Sequence, residues 1–285
     1  MALRTSSIVC ATVLALAAGV TAASADGLPV LGIDVGRTGV TGADGAVRIV
    51  TLPAGNATLV ARIATDGGRV LVARRLRGNV TIPAVAYDGS AAGLSADGRT
   101  LALIEPRAAF PRRVTPIRIL DARRLRPRSE LLLGGDFSID AVSPDGRLVY
   151  LVQYTSRLDP TRYVVRALDA RTGRLVPGAI VDPTEPDEKM RGLPMTRTDD
   201  AEGRWAYTLY DGAGGEPFVH ALDTAGRTAR CIDLDMLAGA DVTGMRLKLA
   251  ADGRTLAVAP TAGPTVATID LTTFTARRSR FPGLW

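Results

Sequence analysis

This chain is short of the residues most active sites are made from. It has one histidine and two cysteines, and aromatic side chains make up 5% of its 285 residues. So little His and Cys excludes a zinc centre built from clustered ligands and a disulfide scaffold. No Gly-x-Ser-x-Gly turn is present, which excludes the hydrolase elbow. Few aromatics leave poor material for stacking sugar rings. Only Lys189 and Lys248 are lysines, so the net charge of +6 comes almost wholly from arginine. The arginines fall in short scattered groups, such as Arg74-Arg75, Arg123-Arg124 and Arg277-Arg278. A DNA-reading face needs them on one helix or stripe, and no long amphipathic helix is visible. Nucleic acid is therefore not an expected partner. No cofactor and no metal is expected.

The first 25 residues read as an address. Arg4 supplies a positive start, residues 8–20 are dominated by Ala, Val and Leu, and Ala23-Ser24-Ala25 offers a small–x–small cleavage site. Together these are a secretory signal, cleaved after Ala25. The apolar run is shorter than the ~20 residues a spanning helix takes, and no later stretch exceeds it. The expected product is an exported chain, residues 26–285, with no transmembrane segment. Cys10 leaves with the leader, so Cys231 has no partner for a disulfide and reads as an inert buried thiol.

The rest is organised by a repeat. Ser95-Ala96-Asp97-Gly98-Arg99 and Ser143-Pro144-Asp145-Gly146-Arg147 each lead into an apolar run, as does Ala251-Asp252-Gly253-Arg254. Ala201-Glu202-Gly203-Arg204 and Ala43-Asp44-Gly45 are degenerate copies. The acidic positions 44, 97, 145, 202 and 252 stand 53, 48, 57 and 50 residues apart. Asp bonds its own backbone at a turn, and Gly supplies the positive φ of a tight reversal. Each copy is thus a hairpin. A second hairpin follows at Leu120-Asp121, Leu168-Asp169, Leu222-Asp223 and Ile269-Asp270, with Asp66-Gly67 serving the first unit. Runs such as Leu148 to Val152 do not alternate, as in strands buried on both faces. Two hairpins per unit and five units predict an all-β fold, a β-propeller of five four-stranded antiparallel blades closed into a ring in a single domain.

The Ser-Pro-Asp-Gly-Arg and Ser-Ala-Asp-Gly-Arg turns resemble the repeats of TolB-like and WD40-like bacterial propellers. Residues 205–212, Trp-Ala-Tyr-Thr-Leu-Tyr-Asp-Gly, are similar to exported propellers of high-GC Gram-positive bacteria. The resemblance covers most of residues 40–280. It implies a non-catalytic binding platform, and the extra N-terminal domain of TolB has no counterpart in this sequence.

First and third turns of a blade share one face of the disc. Second turns and blade-to-blade links share the other. Here the first face has short uniform turns, and the second has longer loops at 105–116, 153–163, 181–200 and 210–218. Variable loops on a rigid scaffold carry function, so the partner, a protein or a cell-envelope polymer, is expected there and the chain is expected to be a monomer. The candidate binding residues are Phe110, Arg112, Arg113, Tyr154, Arg157, Asp159, Glu185, Asp187, Glu188, Arg191, Tyr210 and Asp211. His220 shares its repeat slot with Arg118 and Arg166 and reads as structural. The alternative is a glycoside hydrolase or lactonase-like propeller, with Asp34, Asp140 and Asp199 at the channel as its carboxylates.

Overall fold

The structure, a computed structural model, describes residues 39–187, 190–212 and 214–279. Residues 1–25, read above as a leader, Asp34 and Glu188 lie outside these described residues. Blade 1 holds β1 (Val40–Thr41), β2 (Val47–Pro53), β3 (Ala57–Ala64) and β4 (Val70–Arg77). Blade 2 holds β5 (Thr100–Ile104), β6 (Val114–Asp121) and β7 (Arg126–Gly134). Blade 3 is β8 (Phe137–Val142), β9 (Leu148–Tyr154), β10 (Tyr163–Asp169) and β11 (Arg174–Leu175). Blade 4 is β12 (Pro194–Asp199), β13 (Trp205–Tyr210), β14 (Phe218–Asp223) and β15 (Thr228–Asp233). Blade 5 is β16 (Met245–Leu249), β17 (Thr255–Pro260), β18 (Ala267–Asp270) and β19 (Thr275–Arg278). All pairings are antiparallel between consecutive strands, so the chain is an all-β, five-bladed propeller. Among the described residues no helix is long and apolar enough to cross a membrane.

Positions 44, 97, 145, 202 and 252 each fall in the first turn of a blade. The Asp97, Asp145 and Asp252 carboxylates accept the backbone N–H two residues on, at 2.9, 3.0 and 2.9 Å. In blades 2 and 3 a serine completes the turn. The Ser143 hydroxyl donates to Asp145 at 2.7 Å and accepts the Leu148 N–H at 2.9 Å. The third turns work alike: Asp169 accepts two backbone N–H groups, from Thr172 and Arg171. The Thr172 N–H, more than any other contact, holds the Asp169 carboxyl below its usual range.

The second strands of blades 2, 3 and 4 are buried on both faces over most of their length, β5 throughout. The outermost strands of blades 1 and 2 are largely exposed and carry arginine, with Arg74, Arg75 and Arg77 on β4 and Arg126 and Arg128 on β7. Charge on an edge strand discourages pairing with another sheet. This is where several of the scattered arginine groups reside.

Apolar clusters join blade 1 to 2, 2 to 3, 3 to 4 and 4 to 5. Among the described residues no such cluster joins blade 5 to blade 1, which departs from the expected closed ring. The alternation on blade 5 explains it. Leu247, Leu256 and Val258 turn to blade 4, so Arg246, Lys248 and Ala257 take the opposite face, which charge and small size make a poor core.

Blade 2 departs from the four-strand pattern. Its first strand is broken into bridges, Thr81↔Ile104 and Leu94↔Leu101, around an excursion at residues 84–91. That excursion crosses to blade 4. Tyr87 and Asp88 donate backbone N–H groups to the Pro194 and Met195 carbonyls of β12, at 2.9 and 3.2 Å. The Asp88 carboxylate accepts the Thr196 hydroxyl at 2.6 Å and lies 3.7 Å from Arg246 of blade 5. The first strands face the propeller axis, so the axis is bridged.

The repeat offers an internal control on its turns. Gly146 and Gly253 have φ of +69° and +67°. A Cβ at Gly253 meets nothing within 4 Å, whereas at Gly146 it would lie 2.2 Å from Thr100 Oγ1 of the neighbouring blade. Gly253→Ala should cost about 1–2 kcal/mol for the left-handed backbone. Gly146→Ala should cost a further ~1–3 kcal/mol for overpacking. Chemical denaturation of both variants checks the difference, and equal losses would contradict the blade 2–blade 3 turn contact.

Candidate functional site

On the long-loop face, between blades 2 and 3, lies a cavity of about 660 Å³. That volume is within the range of small-ligand sites. Arg112, Arg113, Asp136, Tyr154, Ser156 and Arg157 contribute to its lining. Four of the residues singled out from sequence thus meet in one place: Arg112, Arg113, Tyr154 and Arg157. Phe110 stands beside them, edge-on to the Tyr154 ring at 5.6 Å.

Asp136, which lines the cavity, is held by an ion pair that sequence reasoning missed. Arg107 and Asp136 are both buried, and Arg107 Nη2 donates to Asp136 Oδ1 at 2.6 Å. Arg107 also lies 4.6 Å over the Tyr154 ring, a cation–π contact. Asp136 accepts the Arg112 backbone N–H at 2.9 Å. Arg112 anchors itself by donating to the Glu105 carbonyl at 2.7 Å and to the Phe137 carbonyl. Burial, then the neighbouring positive Arg107, lowers the Arg112 guanidinium to about 10, against the pull of Asp136. Two guanidinium groups therefore share one carboxylate. Arg113 and Arg157 are exposed at the rim, and among the described residues neither makes an ion pair. Leu158, 94% exposed, projects beside Arg157. The site is a cationic basin with an apolar knob on its edge.

The remaining candidates lie elsewhere. Tyr210 is buried and stacks on Phe218, with ring centroids 5.0 Å apart. Tyr154 is buried as well, so both rings support the loops from beneath. Asp211 accepts the Leu193 N–H at 2.6 Å, and burial raises its carboxyl. Asp159 caps its own loop by accepting the Thr161 hydroxyl at 2.6 Å. Glu185, Asp187 and Arg191 are exposed along the link from blade 3 to blade 4. That link is tied down by buried Asp182, which accepts from Thr184, Arg230 and the Cys231 N–H. Tyr87, 44% exposed on the blade 2 excursion, adds an aromatic ring not singled out from sequence. Burial and then the Asp211 charge push its hydroxyl up to about 12. Its signal was Asp88-Gly89, a turn pair out of register with the fivefold repeat. Asp136 follows Gly134-Gly135 in a link, and no local pattern marks it.

At the axis, Asp140 and Asp199 both engage one guanidinium. Arg197 is 2.6 Å from Asp140 and 3.1 Å from Asp199, and its side chain is buried. A second cavity of about 270 Å³ opens on the short-turn face, and Arg197, Asp199 and Asp200 line it. Glycoside hydrolysis needs one carboxyl protonated and one free. Two carboxylates that share an arginine form a structural clamp.

No family model matches the chain, and no curated protein matches it. Solved structures are similar to it at low identity. The hydrazine synthase of Kuenenia stuttgartiensis is 14% identical, over 84% of this chain and 64% of that one, with a TM-score of 0.48. TolB from Acinetobacter baumannii is 17% identical, over 83% and 58%, with a TM-score of 0.38. The Cps50 (Swd1) β-propeller domain of Myceliophteria thermophila is 12% identical, over 80% and 62%, with a TM-score of 0.43. This chain therefore spans less than two thirds of each of these. Propellers are among the similar structures, but the five-bladed assignment rests on the sheet order of this chain.

The axial clamp yields a test. Removing Arg197 strands the buried Asp140 charge, and breaking a buried pair costs about 3–5 kcal/mol. Arg197→Met should lose that much in urea denaturation at neutral pH. Arg99→Ala, at an exposed pair 3.9 Å from Asp97, should lose little. Comparable losses would contradict the clamp.

Proposed function

We propose that this protein is an exported, non-catalytic β-propeller whose long-loop face binds a partner carrying clustered anionic groups, on a protein or a cell-envelope polymer. The observation that carries this reading is the basin between blades 2 and 3. Arg112, Arg113 and Arg157 converge on it, a single carboxylate faces it, and a rigid pair of blades holds it open. Guanidinium groups match carboxylate and phosphate oxygens in paired geometry. The bridged axis and the clamp at Asp140 and Asp199 favour binding over turnover. In this reading the leader ends at Ala25 and residues 26–285 form one propeller domain that works as a monomer outside the cytoplasm.

Two measurements test the reading. Binding to polyglutamate and to polyphosphate is followed by calorimetry at low and physiological salt. Arg113→Glu with Arg157→Glu should weaken it at least about tenfold, some 1.4 kcal/mol, and rising salt should weaken the parent protein. Equal binding to a neutral glucan, or no loss in the double variant, would overturn the basin as the site. For export, the protein recovered outside a secreting bacterial host should begin at Asp26 on N-terminal sequencing. An intact Met1 there would overturn the leader.

A further inference from the structure

Each rim arginine of the basin is followed in the chain by an exposed apolar residue, Val114 after Arg113 and Leu158 after Arg157. Leu158 is 94% exposed, the most of any large apolar side chain among the described residues. Leu132 is 75% exposed and Val114 45%. Val114 pairs with Gly134, and Pro116 with Leu132. Opposed residues of an antiparallel pair share a face, so Val114, Pro116 and Leu132 lie together. Their neighbours Ile117 and Leu133 pack toward blade 3, which turns this patch the other way. The arginine-bearing loop of blade 2 thus has the basin on one side and an apolar patch on the other.

The loop at 153–163 holds Leu158 out. Ser156 Oγ accepts the Leu158 and Asp159 N–H groups at 3.2 and 3.0 Å. The Asp159 carboxylate accepts the Thr161 N–H at 2.9 Å, and the Asp159 carbonyl accepts the Arg162 N–H at 3.3 Å. Thr155 closes the neck by donating its N–H to the Arg162 carbonyl at 2.9 Å. Pro160 has no N–H to satisfy. A tip whose polar backbone groups bond within the loop is suited to an apolar layer, where no water is present to satisfy them. Arg162 adds a third exposed guanidinium to Arg113 and Arg157, and the loop's one acid, Asp159, is taken up by Thr161. Apolar side chains set among cations match the boundary of an anionic membrane, where headgroups meet acyl chains. A protein partner would need a separate hole for each knob, whereas lipid closes around both.

We propose that the rim of blades 2 and 3 docks on an anionic lipid surface, with Leu158 and the Val114–Leu132 patch entering the interfacial layer and the basin holding a headgroup phosphate. The inference rests on the anion-binding basin and takes lipid as the carrier of the anionic groups. Glu185, Glu216, Asp233 and Asp235 are exposed around the same end of blade 4, and an anionic surface repels them. The disc therefore meets the membrane tilted, with blades 2 and 3 toward it and blade 4 away.

The test sediments the protein recovered outside a secreting host with two kinds of vesicle. One is phosphatidylcholine alone, and the other is phosphatidylcholine and phosphatidylglycerol in equal parts. The protein should bind the mixed vesicles and not the neutral ones. Leu158→Ser should weaken that binding at least about tenfold, the lower end of what burying a leucine is worth, without moving the melting temperature. Adding Leu132→Ser should weaken it further. Val70→Ser removes an exposed apolar side chain at the short-turn end of blade 1 and should change nothing. Binding of polyphosphate without binding of mixed vesicles would overturn the lipid surface and leave the basin standing, with a protein or polymer as the carrier. Equal binding to neutral vesicles, undiminished binding in Leu158→Ser, or an equal loss in Val70→Ser would overturn the docking mode.

Discussion

The rest of the structure depends on a crossing at the propeller axis. Asp88, on a short excursion from blade 2, takes the Thr196 hydroxyl of blade 4 and approaches Arg246 of blade 5. Beside it Arg197 holds Asp140 of blade 3 and Asp199 of its own strand. Four blades are thus tied at their first strands by charge and by backbone hydrogen bonds. Buried ionic ties fix geometry more than they add stability. Here they set the angle between neighbouring blades, and with it the distance between loops on the outer faces.

That spacing creates the basin. Blades 2 and 3 meet through Ile117, Ile119, Phe137 and Ile139, all almost fully buried. Above this core the Arg107–Asp136 pair seals the seam, and Arg112 is left over it with the loops of both blades on either side. Aromatic residues are scarce in the chain, yet Phe110, Tyr154, Tyr163, Tyr210 and Phe218 form a continuous row beneath the long loops. The row stiffens the face from below, which is what a preorganised binding surface requires.

Much of this was legible in the chain itself. The turn residues Asp97-Gly98 and Asp145-Gly146 act locally, so their spacing reports blade boundaries directly. The third-turn aspartates do the same. The loops that build the basin were visible as the irregular intervals between those turns, and Arg112, Arg113 and Arg157 within them were marked. Contacts between distant segments left no local trace. Asp136 lies 29 residues from Arg107, and Asp88 lies 108 from Thr196. The burial of Tyr154 and Tyr210 also follows from a neighbouring blade rather than from their own strands. His220 was placed in its strand slot by register, but its cross-strand partner depended on the pairing of β14 with β15.

The crossing at the axis is the point on which the account turns, and amide hydrogen exchange read by mass spectrometry reports on it directly. The Tyr87 and Asp88 amides bond to the Pro194 and Met195 carbonyls. They should exchange as slowly as the β12 amides, since opening one requires opening the other. Exchange at the rate of a free surface loop would mean that the excursion does not reach blade 4, and the positioning of the long-loop face would lose its foundation.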